Sequence, residues 1–421
     1  MTKRAARRMR AFETVARRSR VTPLLAAACV SGVLACSDRE SGSPAAEVRD
    51  SAGVHVVESV RPAWPEGGGW RVVVEPSVRI GLSDGDAAYQ FDRIRGVMLL
   101  DEGGFVVLDG GTRQFRRYDA EGRHVWSVGG PGRGPAQFEA PLLVGRAGDG
   151  AFLLWDRSLS RMTVVAADGD SVRTDPPTSA VNDEVPIVHD VFDDGAWLAT
   201  YPHVIMPPAQ GTLLADTIRL WRVDPASLER RMLVELPGPV WIFTGRDLLP
   251  VPFTANPLRA IAGTNLVATS GAVPAVRVLG EDGTAQAHYI LPLEPAPVTP
   301  SDVRAVVDWQ VGRRAYGASA RVWDEWLERM PVPDRAPAYD RLMLDGGGAI
   351  WLRRFVMDPA DTAPPRWDVL GTDGAWLGTL TTPPGLEVFS IAGDLLAGVT
   401  HDSLDVEHVA VHRIAKVEDR P

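Results

Sequence analysis

The chain has 421 residues, 45% of them hydrophobic, and a formal net charge of −10 at neutral pH. That length supports a large hydrophobic core, and the acidic balance repels phosphate backbones, so nucleic acid is set aside as a partner class. Only two cysteines are present, which excludes a disulfide-stapled scaffold and leaves stability to core burial.

The first 36 residues stand apart. Lys3, Arg4, Arg7, Arg8, Arg10, Arg17, Arg18 and Arg20 are opposed only by Glu13, and an apolar run from Val21 to Ala35 follows. A basic stretch followed by an apolar run too short for a permanent span reads as an export signal. The run ends in Val33-Leu34-Ala35-Cys36, which resembles a bacterial lipobox. Residues 1–36 are therefore expected to be a lipoprotein signal peptide, with Cys36 taking the lipid and Cys29 leaving with the leader. Arg17-Arg18 lacks most of the surrounding twin-arginine pattern. Taking the leader's eight bases and one acid from 44 and 54 leaves 36 against 53, a net charge of −17. Residues 37–50 are polar and aperiodic and read as a flexible tether. Ser37, not Asp, follows the lipid cysteine, which favours the outer membrane over retention at the inner one.

From residue 51 a four-strand unit repeats. It is clearest between Arg93 and Gly129. Ile94-Arg95-Gly96-Val97-Met98-Leu99-Leu100 is a strand-like run, and Asp101-Glu102-Gly103-Gly104 turns it. Phe105-Val106-Val107-Leu108-Asp109 and the alternating Gln114-Phe115-Arg116-Arg117-Tyr118-Asp119 follow. His124-Val125-Trp126-Ser127-Val128 completes four short antiparallel strands. The second strand recurs at 151–156, 196–200, 266–269, 349–353 and 395–399, each time followed by a third strand. Asp168-Gly169, Asp282-Gly283 and Asp373-Gly374 supply hairpin turns. Six such units predict an all-β fold: a six-bladed β-propeller of four-stranded antiparallel blades over 51–416. The last unit offers only three strands, so its fourth is expected from the N-terminal side, either Val54-His55-Val56-Val57-Glu58 or Trp70-Arg71-Val72-Val73-Val74. Residues 202–216 read as a loop within the third unit. Thr299-Pro300-Ser301-Asp302 starts a helix, and 301–330 reads as a small helical insertion between blades four and five.

Several stretches resemble the bacterial six-bladed β-propeller lipoproteins, relatives of NHL-repeat and TolB-like propellers. They are Asp50-Ser51-Ala52-Gly53-Val54, the segment 85–91, the strands 107–109 and 115–119, and above all Gly129-Gly130-Pro131-Gly132-Arg133-Gly134-Pro135-Ala136-Gln137-Phe138. Pro337-Ala338-Tyr339 ahead of Trp351 fits as well. The resemblance implies a propeller and an envelope address, and it carries no common activity or catalytic set.

The chemical signals are sparse. The glycine-rich loop 129–135 lacks the Lys-Ser/Thr pair of a phosphate loop and reads as an inter-blade link. Of the eight histidines, His189, His203 and His401 lie nearest to inner strands or loops. Asp92, Glu139, Glu184, Asn256, Asp340 and Glu387 stand at or before the inner strands. Ringed around one channel mouth, they are candidates for Ca²⁺, which takes oxygen ligands, or for a cationic ligand; the alternative is that they are solvated acids on loops. Trp309, Trp323 and Trp326 in the insertion, among Arg313, Arg314 and Arg321, are candidate partner contacts, or else pins that hold the helices to the propeller. Two function classes follow. One is a monomeric, membrane-anchored binding module for a protein, peptide or glycan, with no cofactor. The other is a metal-dependent hydrolase or lyase working at the axial channel.

Overall fold

A computed structural model describes residues 45–66, 68–178, 184–201, 209–313 and 315–417. The signal peptide, Cys29, Cys36 and most of the tether lie outside the described residues, as does His203. The strands form six sheets. Sheet I is Ile94–Leu99, Phe105–Asp109, Gln114–Tyr118 and His124–Gly129, and sheet II is Pro141–Arg146, Phe152–Asp156, Arg161–Val165 and Val172–Thr174. Sheets III, IV, V and VI begin at Ile187–Val191, Leu258–Ala262, Tyr339–Leu344 and Glu387–Ala392. Each of these first strands touches the first strand of the next sheet, and that of sheet VI returns to that of sheet I. The architecture is a β-propeller, with the first strands innermost.

Packing between neighbouring sheets explains the residue types. Phe105, Val106, Val107 and Leu108 are at most 1% exposed. Successive side chains point to opposite faces of a strand. Val106 and Leu108 pack with Phe152 and Leu154 of sheet II, while Phe105 and Val107 pack with Val399 and Val409 of sheet VI. A strand covered on both faces must be apolar throughout rather than alternating. Each such side chain contributes roughly 1.5–3 kcal/mol.

The N-terminal segment ties the outer edges together. Gly69–Val72 and Val78–Ile80 both pair with Glu407–Val417, with Val72 opposite Ile414 and Ile80 opposite Val409. The second of the two expected segments therefore completes sheet VI. The first, Val54–Ser59, instead pairs in parallel with Ala285–Ile290 of sheet IV. Between them Trp64 donates its backbone N–H to the carbonyl of Leu377 in sheet V (2.7 Å). Residues 46–80 thus cross three sheet edges in turn.

Two expectations need correction. The tether was drawn to residue 50, but Ala46–Ser51 is a strand paired antiparallel with Val54–Ser59. Ala52 and Gly53, at φ 55° and 84°, make the tight turn between them, a geometry whose twist suits a two-residue hairpin. Short polar strands of this kind gain order only from the edge they join. The expected loop at 202–216 gives way from residue 213 to a long hairpin, Leu213–Val223 with Arg230–Phe243. Its far end carries Ile242, which with Leu249 and Val251 forms a separate small core beneath the helical insertion. That insertion is helix α1 (Pro300–Gly312) and helix α2 (Ala320–Leu327). α1 starts with a capping box in which Thr299 and Asp302 bond each other's backbone N–H, with Pro300 as the first residue, where a missing N–H costs nothing.

Candidate functional site

Five of the six inner strands do not pair regularly with their neighbours; that of sheet IV does. Register shifts displace one residue in sheet I between Ile94 and Gly96, in sheet III between Val188 and Asp190, and in sheet V between Tyr339 and Arg341. The displaced residues are Arg95, His189 and Asp340. Sheets II and VI are shifted likewise, at Val144 and Phe389. A β-bulge kinks its strand and re-aims a side chain. Arg95, His189 and Asp340 all line one axial cavity of about 330 Å³. Arg259, Arg341 and Asp190 join them, and Leu142, Leu143, Leu258 and Leu342 supply apolar wall. Five of the six sheets contribute to it.

The charges here are unequally engaged. Asp340 accepts from Arg353 Nε at 2.6 Å, and Arg341 reaches Glu387 of the next sheet at 3.3 Å. Arg95 makes no hydrogen bond or ion pair with another described residue, and Arg259 has only the charge of Asp190 beside it. Burial pushes the Asp190 carboxyl up to about 7, although the Val191 N–H and the Arg259 charge draw it back. Burial, then the charges of Arg259 and Arg157, hold His189 down at about 3, so its imidazole is neutral at neutral pH. Its Nε2 lies 2.8 Å from Thr200 Oγ1. Burial lowers the pKa of Arg259 as well, but a guanidinium starts so high that it keeps its proton. With Asp190 protonated, the cavity holds two unengaged positive charges.

The six acidic and amide candidates are not brought together. Only Asp340 lines the cavity. Asp92 is paired with its neighbour Arg93 at 3.1 Å, Glu139 with Arg133 at 2.6 Å and Glu184 with Arg230 at 2.8 Å. Glu387 holds Arg341. Asn256 lies instead in a groove with Trp323 and Tyr316 beside the insertion. Among the described residues no group of three or more His, Cys, Asp or Glu side chains converges in a way that could hold a metal ion. The expected ring of free oxygens is replaced by arginine–carboxylate pairs. A paired arginine neutralises a carboxylate in place, so the carboxylate no longer offers the uncompensated negative charge that draws a cation. His401 sits outside the cavity, 3.6 Å from Glu407.

The tryptophans divide. Trp323 and Trp326 are 0% and 2% exposed and pack against Ile242, Leu249 and Val251. They pin the helices to the hairpin and are closed to a partner. Trp309 is half-buried, with the Arg313 guanidinium 5.1 Å from its ring centre. The glycine-rich loop is a link held from outside. Arg161 donates to the carbonyls of Arg133 (2.9 Å), Gly134 (2.8 Å) and Gln137 (2.9 Å), and Phe138 is buried in the core between sheets I and II.

Arg95, Arg259 and Arg341 are not among the acids and histidines that stand out in the sequence. One signal was available. Ile94-Arg95, Leu258-Arg259 and Asp340-Arg341 each put an arginine near the start of an inner strand whose neighbours are mostly apolar. The bulge that displaces Arg95 leaves no mark in composition or periodicity.

No family model and no curated protein matches the chain. Solved structures of similar outline include an exported protein of Bacteroides fragilis and a member of the DUF4221 family from Bacteroides vulgatus. Both are 11% identical with a TM-score of 0.47; the first alignment covers 82% of this chain and 96% of that one, the second 83% and 99%. A gluconolactonase of Xanthomonas campestris is 14% identical, with a TM-score of 0.42 over 85% of this chain and 99% of its own. No residue role passes from them to this chain.

Proposed function

We propose that the chain is a six-bladed, envelope-anchored propeller that works by binding rather than by metal-dependent hydrolysis. The leader delivers it outside the cytoplasm, Cys36 takes the lipid, and the anchored copy faces the periplasm or the surface from the outer membrane. The domain acts as a single copy and engages a protein, peptide or glycan through its loop-bearing face. Trp309, the one tryptophan of the insertion with exposed surface, is the contact residue there.

One observation carries the choice between binding and metal chemistry. Asp340, the one acidic candidate that lines the channel, is held by Arg353, and Arg95, Arg259 and Arg341 line the same cavity, so the channel presents guanidinium groups where a catalytic cation would need a cluster of oxygens. Calorimetric titration of the purified full-length chain with Ca²⁺, Mn²⁺ and Zn²⁺, with a melting curve for each, tests this. Binding without metal chemistry requires no stoichiometric uptake and no shift in melting temperature. A saturable one-to-one site that raises the melting temperature would favour the hydrolase or lyase reading instead.

A further inference from the structure

We infer that the axial cavity is a site for a small organic acid, whose anionic head is held by Arg95 and Arg259. This deepens the reading of the chain as a binding scaffold. Arg95 and Arg259 come from sheets I and IV, three places apart in the succession of six, and both line the same cavity. Neither is hydrogen-bonded to another described residue. Two like charges facing one cavity repel each other and attract an anion between them. An arginine fork matches the geometry of a carboxylate. The bulge at Arg95 aims the side chain inward at the expense of regular strand pairing, and such devices gather next to binding sites.

The remaining walls set the rest of the ligand. Leu142, Leu143, Leu258 and Leu342 form an apolar lining that suits a short hydrocarbon body. A cavity of about 330 Å³ admits a molecule of several carbons and excludes a folded chain. The neutral His189 and its Thr200 partner present one polar edge without adding charge. Two acids line the site: Asp340 is neutralised by Arg353, and burial pushes the Asp190 carboxyl up to about 7.

Titration of the full-length chain with hexanoate, acetate, inorganic phosphate and the uncharged isostere hexanamide tests the inference. Hexanoate should bind saturably and more tightly than acetate, while hexanamide should not. Arg95→Gln and Arg259→Gln should each weaken hexanoate by about tenfold or more. Arg95 is exposed to the channel and bonded to nothing, so its variant should fold as the parent does; circular dichroism and an unchanged melting temperature check that. Equal binding of hexanamide, no binding of any anion, or full affinity in Arg95→Gln would overturn the site. Phosphate binding at least as tightly as hexanoate would overturn the organic acid in favour of an inorganic oxyanion. None of these failures produces metal uptake, so they are distinguishable from failure of the binding reading itself.

Discussion

The guanidinium of Arg116 lies 3.3 Å from the carboxylate of Asp109, and the two side chains are 1% and 0% exposed. The pair links the second and third strands of sheet I to the segment that enters it. Arg116 Nη1 donates to the carbonyls of Gln90 (2.7 Å) and Ala88 (3.3 Å). Asp109 accepts from the backbone N–H groups of Gly111, Thr112 and Asp92. Sheet II repeats the arrangement with its parts redistributed. Arg161 grips the linker 133–137, and Asp156 accepts from Glu139, Ala140, Ser158 and Leu159. These polar groups fix where one sheet ends and the next begins.

Arg116→Met should therefore destabilise the fold sharply. It leaves the Asp109 charge buried with backbone donors but without its counter-ion, a loss of about 3–5 kcal/mol. Chemical denaturation of Arg116→Met against the parent measures it. A cost below about 1 kcal/mol would show that water reaches the pair and that it does not anchor the linker.

Deletion of residues 46–80 should leave Glu407–Val417 with an unpaired edge and sheets IV and V with uncovered outer strands. Trp70, which packs with Trp64 and Trp351 at ring-centre distances of 5.6 and 6.0 Å, would be lost from the same seam. Open edges and exposed apolar surface promote association. Size-exclusion chromatography should show aggregation or a large fall in melting temperature. A monodisperse deletion that melts like the parent would mean that these strands decorate the ring and do not close it.

Trp323→Ala should cost about 3–5 kcal/mol in the stability of the insertion, because the side chain is wholly buried between α2 and the hairpin. Trp309→Ala should cost much less, since that ring is only partly covered. Limited proteolysis should cut the Trp323→Ala insertion first and leave the propeller intact. Equal resistance in both variants would count against a separate core there.

The repeat was legible in the sequence because a strand buried on both faces, such as the one holding Phe105, Val106, Val107 and Leu108, must be apolar along that run, and the run recurs. The insertion was legible through Thr299-Pro300-Ser301-Asp302, whose capping chemistry is local. Closure was half legible. Val54–Ser59 and the segment around Trp70 both look like edge strands, and only tertiary contact decides which sheet each joins. The site was largely hidden. A carboxylate such as Glu139 looks the same in sequence whether it faces a cation or Arg133, and the partner is set by loop geometry. For Trp323 and Trp326 the sequence offered both a partner contact and a pin, and only the packing of Ile242, Leu249 and Val251 against them decides for the pin.

Anion binding in the channel should weaken as pH rises. Asp190 is protonated below about 7, and once ionised it sets a negative charge beside Arg259. Of the other groups facing the cavity, His189 is held down at about 3, Arg259 and Arg341 start so high that they keep their protons, Asp340 is paired with Arg353, and Arg95 adds a further guanidinium. Hexanoate affinity should fall roughly tenfold between pH 5.5 and 8.5, and Asp190→Asn should flatten the profile. The same group affects stability in the same direction. Its folded pKa is raised above the unfolded value, so its stabilising contribution is present at acid pH and is lost as pH rises through about 7. A profile in Asp190→Asn identical to the parent's would assign the pH dependence elsewhere.

Anomalous scattering from crystals soaked in parallel in bromide and in Mn²⁺ tests the central claim most directly, because it reports the sign of the charge that the channel accepts. A bromide peak in the axial cavity beside Arg95 and Arg259, with no manganese there, is the result that an arginine-lined binding channel requires. A manganese peak on Asp190 and Asp340 with the cavity free of bromide would contradict it and turn the channel into a metal centre.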